Sequence, residues 1–200
     1  YNFRELRAGL AEVIKYGVID DRTFFEFLEA NLDKLLSRDA WALACAIEKS
    51  CVIKARIVGD DEREREGGPR ALLNYGHTFA HAIETCMNYQ GYLHGEAVAI
   101  GMALAGELSV ARKLLSRTDA DRIRALIEKA GLPVGLKPGD PGVEALHQAT
   151  FRDKKARDGK LRFVLATAIG ASKTCDDVTP EDARKAWEQE RKAWSAEGGA

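Results

Sequence analysis

The stretch Arg70-Ala71-Leu72-Leu73-Asn74-Tyr75-Gly76-His77-Thr78-Phe79-Ala80-His81-Ala82-Ile83-Glu84 constrains this chain more than any other. Read as one helix, it puts Arg70, Asn74, His77, His81 and Glu84 on a single stripe at steps of four, three, four and three. That is the repeat of one helical face. Leu72, Leu73, Phe79 and Ile83 take the opposite faces. The helix therefore has a core side and a second side whose every member can bind a metal, an anion or a proton. Thirteen positions after His81 stands His94, just before an apolar helix, so three of the four histidines fall in this short span. The rest of the chain reads as scaffold and supplement to these residues.

With 200 residues and 46% hydrophobic content, the chain can bury the core of one domain, or of two small ones. A net charge of −1 offers no global attraction to nucleic acid or to an anionic membrane, and no apolar run is long enough to cross a bilayer. Anion recognition must come from locally clustered Lys and Arg. The chain begins Tyr1-Asn2-Phe3-Arg4, with neither Met nor a signal-peptide pattern, and is expected to be a fragment or a processed form. Cys45, Cys51, Cys86 and Cys175 lack short paired spacings and read as buried or half-buried free thiols.

In chain order, residues 4–16 read as a helix stopped at Gly17, with Glu12 and Lys15 as an ordinary exposed ion pair. Asp20-Asp21 start a helix whose Phe24, Phe25, Leu28, Leu32 and Leu35 are core, and Asp39 caps a third helix carrying Lys54 near its end. A charged loop, 59–68, brings Glu64 and Glu66 towards the head of the histidine helix. Residues 95–115 form a central helix packed closely through small residues, and 119–130 another, ended by Gly131. A short helix holds His147, which reads as a surface or capping residue. Residues 161–169 are a strand, and Thr179-Pro180-Glu181-Asp182 starts the last helix. The fold class is mainly α: a multi-helix domain, with roughly six to eight helices and a small strand or hairpin element near 160–170.

A catalytic divalent-metal site needs about three protein ligands and an open position. His77 and His94, on successive helices, can meet at one point and be joined by a carboxylate. His77 and His81, at i and i+4, can equally share a metal. Lys15, Lys54, Arg70 and Lys154 or Lys155 can converge, with Asn74, on a substrate bearing carboxylate or phosphate and hydroxyls. No G-x-G-x-x-G follows a strand, so the chain has no dinucleotide fold of its own.

Gly9-Leu10-Ala11-Glu12-Val13-Ile14-Lys15-Tyr16-Gly17, Asp61-Glu62-Arg63-Glu64, the run from Leu72 to Glu84, Leu93-His94-Gly95-Glu96-Ala97-Val98 and Asp153-Lys154-Lys155 together resemble the 3-dehydroquinate synthase family, in its order and near its spacing. The resemblance covers about Arg4 to Ile169. It corresponds to the family's helical C-terminal domain, so that residues 1–200 form one metal- and substrate-binding domain and the family's N-terminal NAD-binding α/β domain is not within them.

The resemblance implies Glu12, His77 and His94 as ligands of Zn2+ (with Co2+ as a substitute). Lys15, Lys54, Arg70, Asn74 and a lysine of the Lys154-Lys155 turn are implied as substrate-binding residues. His81 is implied as a proton-transfer residue rather than a ligand. A catalytic glutamate is implied as well: the D-E-R-E pattern marks Glu64, whereas spacing to Arg70 marks Glu66, because two residues are inserted. Glu66 is favoured, being four residues from Arg70. The implied reaction converts 3-deoxy-D-arabino-heptulosonate 7-phosphate to 3-dehydroquinate plus phosphate, in the shikimate pathway of aromatic amino acid biosynthesis. It uses NAD without net redox, in a cytoplasmic protein that is a homodimer when full length. The isolated chain is expected to be inactive. The alternatives are another sugar-phosphate cyclase of the same superfamily and a non-catalytic metal-binding helical module.

Overall fold

The computed structural model describes residues 2–63, 65, 68–152 and 161–197. Among them are eight α-helices, one 3-10 helix and one antiparallel hairpin, in the order α1 (Phe3–Ile19), α2 (Arg22–Leu36), α3 (Ala40–Gly59), the 3-10 helix (Pro69–Asn74), α4 (His77–Cys86), α5 (His94–Ala111), α6 (Arg117–Lys129), α7 (Val143–Arg152), β1 (Phe163–Ala168), β2 (Ala171–Cys175) and α8 (Pro180–Glu197). None of these helices is long and apolar enough to cross a membrane.

Local sequence accounts for most helix starts. Asn2 and Glu5 form a capping box on α1. Asp21 accepts the Phe24 N–H at 2.9 Å, Asp39 the Ala42 N–H at 2.9 Å and Ser116 the Asp119 N–H at 3.0 Å. Thr179 and Asp182 exchange side-chain-to-backbone bonds at the head of α8. Each such cap satisfies donors that the first helical turn leaves unpaired.

Helix α5 is the axis of the fold. Ala97, Val98, Ala99, Ile100, Met102, Leu104 and Leu108 are all buried, so it is covered on every side rather than along one stripe. Helices α1, α4, α6 and α8 and strand β1 pack around it. The hairpin pairs Phe163 with Cys175 and Val164 with Thr174, and Phe163 and Trp187 both pack on the Phe79 ring of α4.

Three helix boundaries differ from expectation. Helix α1 does not stop at Gly17 but runs to Ile19. Gly17 serves instead as a contact point, since a Cβ there would lie 3.0 Å from the Phe25 Cα of α2. Helix α5 ends at Ala111 instead of near Leu115, with Lys113 at a φ of 58°. The stretch from Arg70 to Glu84 is not one helix: a 3-10 segment ends at Asn74, and α4 starts afresh at His77 after Gly76 at a φ of 80°. Tyr75 is fully buried there, with its hydroxyl donating to the Met102 carbonyl at 3.2 Å. β2 adds a second strand beyond the expected 161–169.

Two smaller expectations are also corrected. The four cysteines are free, but Cys51 is exposed. His147 is half-buried, its ring 5.1 Å from that of Phe151 and its Nδ1 without a partner.

Candidate active site

Three helices bring Glu12, His77 and His94 together. Glu12 lies in the middle of α1, and each histidine is the first residue of its helix, α4 or α5. One ligand atom from each lies within 4.8 Å of the others. Glu12 Oε1 is 3.6 Å from His77 Nε2 and 3.9 Å from His94 Nε2, and the two imidazole centroids are 5.4 Å apart.

Small residues make this convergence possible. A Cβ on Gly95 would lie 2.0 Å from the Ala8 carbonyl oxygen, so α1 touches α5 one residue past His94. A Cβ on Gly101 would lie 2.1 Å from the Gly76 carbonyl oxygen, so α4 begins directly against α5. Backbones that approach this closely leave no room for side chains between them.

The surroundings prepare the donor atoms. His77 Nδ1 faces the Tyr75 carbonyl at 3.2 Å, and His94 Nδ1 faces Glu84 Oε1 at 2.8 Å. Both partners only accept hydrogen bonds, so Nδ1 carries the proton in each ring. The Nε2 lone pairs are thereby directed to the common point. Burial, reinforced by the nearby Lys15 ammonium, pushes the His77 pKa down to about 4, which keeps its imidazole neutral at physiological pH. Lys15 Nζ donates to Glu12 Oε2 at 2.6 Å, whereas Oε1 is buried and has no hydrogen-bond partner. An uncompensated buried carboxylate oxygen between two imidazole lone pairs fits a divalent cation.

Lys15 itself is 3% exposed. Burial lowers its pKa, Glu12 opposes that shift, and Lys54 from α3 adds to it. The Glu12–Lys15 pair is thus not the exposed helix pair expected from spacing. Lys54 is exposed on α3.

A cleft of about 840 Å³ opens beside the donors, lined by Asn74, His77, His81, Glu84, His94, Arg152 and Arg162 among others. The exposed His81 ring stands 5.7 Å from that of His77. Despite the helix break, Asn74, His77, His81 and Glu84 all line the cleft. Arg70 sits apart, on the 3-10 helix, where its Nη1 donates to the Glu62 carbonyl at 3.4 Å. Glu64, Glu66, Lys154 and Lys155 lie outside the described residues.

Sequence reading assigned no role to Asp61, Arg152 or Arg162. Asp61 is 2% exposed, accepts the Arg65 N–H at 2.9 Å, and is held below the usual carboxylate range first by that bond, with the Arg70 N–H contributing. Its place in the D-E-R-E pattern was the available signal. Nothing in the spacing pointed to Arg152 or Arg162, because they reach the cleft only through packing.

Fold and site together define a helical domain in which two histidines and a carboxylate beside an open polar cleft form a donor set that could hold a divalent metal. The family profile described as 3-dehydroquinate synthase C-terminal matches residues 9–156. The chain belongs to the 3-dehydroquinate synthase family and corresponds to its C-terminal domain.

Relatives named 3-dehydroquinate synthase include one from Prochlorococcus marinus (strain MIT 9313), 50% identical over 91% of this chain and 48% of its own length. Another, from Nostoc sp. (strain PCC 7120 / SAG 25.82 / UTEX 2576), is 49% identical over 93% and 51%. The chain therefore spans about half the length of these relatives. Among solved structures, 2-epi-5-epi-valiolone synthase from Streptomyces hygroscopicus subsp. jinggangensis 5008, with NAD+ and Zn2+ bound, is similar at a TM-score of 0.84 and 26% identity, over 96% of this chain and 53% of that one. A 2-deoxy-scyllo-inosose synthase, complexed with carbaglucose-6-phosphate, NAD+ and Co2+, shares the fold at a TM-score of 0.78 and 22% identity, over 94% and 52%.

Proposed function

We propose that this chain is the metal- and substrate-binding half of a 3-dehydroquinate synthase. In this reading it acts on 3-deoxy-D-arabino-heptulosonate 7-phosphate, releases phosphate and yields 3-dehydroquinate, as a zinc- and NAD-dependent lyase of aromatic amino acid biosynthesis in the cytoplasm. The NAD-binding domain belongs to the other half of the relatives' length, and the full-length protein is a homodimer. The observation that carries the reading is the convergence of Glu12, His77 and His94 on the wall of a cleft that also holds Asn74 and His81.

Zn2+ on the three donors would polarise substrate oxygens, and NAD would supply the transient oxidation that acidifies the proton next to the new ketone. The chain's own residues bind, orient and move protons. Lys15, fixed by Glu12, and Lys54, whose charge acts on it, would supply positive charge next to the three donors. Arg70 and a lysine of the Lys154-Lys155 turn complete the cationic set for carboxylate and phosphate. Asn74 offers both a donor and an acceptor to hydroxyls. His81, exposed in the cleft and outside the three-donor group, takes and returns a proton. Glu66 or Glu64 is the acid–base partner.

Identity of about half to the dehydroquinate synthases, against 26% to the valiolone synthase, supports the heptulosonate phosphate over other sugar phosphates. The test joins the chain to the N-terminal half of the Prochlorococcus relative and supplies NAD+, Zn2+ and candidate substrates. Phosphate release from the heptulosonate phosphate alone is expected. Turnover of sedoheptulose 7-phosphate or glucose 6-phosphate in its place would identify a different cyclase. A folded, metal-loaded hybrid inert to all three would leave a non-catalytic metal module.

A further inference from the structure

We infer that Glu84 is a positioning residue for the metal centre, holding the His94 imidazole in the tautomer and orientation in which Nε2 can bind a metal; this rests on the metal reading of Glu12, His77 and His94 given above. Glu84 lies seven residues after His77 on α4, two helical turns along the same face. Its Oε1 meets His94 Nδ1 at 2.8 Å, and its side chain is only 11% exposed. The His94 side chain is 52% exposed, whereas that of His77 is 13%.

That contrast separates the two histidines. His77 is enclosed by packing and also faces the Tyr75 carbonyl. His94 stands at the open end of α5, where solvent surrounds half of its side chain and packing alone does not set its χ2. Its contact with Glu84 is a charge-assisted hydrogen bond to a carboxylate that is itself held in place by its helix. A carboxylate oxygen only accepts, so the bond requires Nδ1–H and leaves the Nε2 lone pair facing Glu12 Oε1 at 3.9 Å. A carboxylate behind a ligating imidazole also raises its basicity. Helix α4 thus supplies one donor directly and governs a second donor on α5, so that movement between α4 and α5 would misplace both together.

The test uses the 200-residue chain with Glu84→Ala and Glu84→Gln. Zn2+ affinity is measured by competition with a chromogenic chelator. The His94 tautomer is read separately, without metal, from imidazole nitrogen shifts at pH 8. Glu84→Ala is expected to weaken Zn2+ binding by about 10–100-fold and to shift His94 from Nδ1–H to a mixture of tautomers. Glu84→Gln, whose amide oxygen still accepts, should lose less but still more than about twofold, and it decides the matter if the alanine variant does not fold. Wild-type affinity in both variants, or an unchanged Nδ1–H tautomer in Glu84→Ala, overturns the assignment. A wild-type chain that binds no Zn2+ would instead refute the metal reading, and the tautomer measurement would still show whether Glu84 orients His94.

Discussion

Lys15 Nζ and Glu12 Oε2 lie 2.6 Å apart, one turn apart on α1, with the lysine side chain 4% exposed and the glutamate 34%. The pair divides the carboxylate into two jobs. Oε2 neutralises a buried ammonium, while Oε1 is left to the two histidines. Removing the two residues should therefore have unequal consequences for stability. Glu12→Ala strands a buried positive charge and is expected to destabilise the metal-free chain by about 1–3 kcal/mol, below the full cost of breaking a buried pair because Glu12 is one-third exposed. Lys15→Met removes the charge with similar volume and should leave stability within about 1 kcal/mol, while abolishing turnover in the joined enzyme. Urea melts of the two variants check this. Equal losses would mean that the pair acts as a surface bridge.

One divalent ion should bind per chain. Glu12→Ala, His77→Ala and His94→Ala should each abolish binding, whereas His81→Ala should leave it intact, because His81 is not among the converging donors. Elemental analysis of dialysed, metal-loaded samples distinguishes the four variants. Retention of metal without His77, or its loss without His81, would contradict this donor set.

The close contact at Gly95 should be as important as a ligand. An alanine Cβ there would meet the Ala8 backbone oxygen at 2.0 Å, and backbone cannot swing aside as a flexible side chain can. Helices α1 and α5 must separate, which moves Glu12 away from His94. Gly95→Ala is expected to cost about 1–3 kcal/mol and to weaken metal binding, although it changes no donor. Calorimetry and the chelator competition measure the two effects.

The metal-free chain should lose stability as the pH falls. The His77 pKa is near 6.5 in an unfolded chain and is pushed down to about 4 in the folded one, first by burial and then by Lys15. The unfolded state therefore binds the proton first, and stability declines between about 6.5 and about 4. His77→Asn should flatten this part of the profile in melts from pH 7.5 to 4. Asp21, Asp182 and Glu96 are held below their usual range by hydrogen bonds that oppose burial, so their contributions fall away at lower pH still.

In the joined enzyme, His81→Asn should keep metal and substrate binding and slow turnover by about 10²–10⁴-fold, the weight of one acid–base group. Glu66→Gln should reduce turnover much more than Glu64→Gln, since Glu66 stands four residues from Arg70. The reverse order would mark the D-E-R-E position as catalytic. The 200-residue chain alone should release no phosphate from the heptulosonate phosphate, with or without NAD.

The residue types along most helix faces, and the start signals of α2, α3 and α8, are written in the sequence by itself. Periodicity and capping depend on neighbours within about four residues, so they can be read without the fold. The grouping of Glu12, His77 and His94 as one set comes from the resemblance of their motifs to the family, since spacing alone reads Glu12 and Lys15 as an ordinary exposed ion pair. What only the tertiary structure decided is everything that depends on α5. Gly76 breaks the apparent Arg70–Glu84 helix because its backbone must lie against Gly101, a contact between distant residues that no local pattern encodes. Burial of Lys15, which turns an ordinary i, i+3 pair into part of the centre, comes from the packing around α1. The pairing of Glu84 with His94 arises because α4 and α5 cross where their small residues permit it. Helical spacing tells which side chains share a face; which face meets which is set by where two backbones can touch.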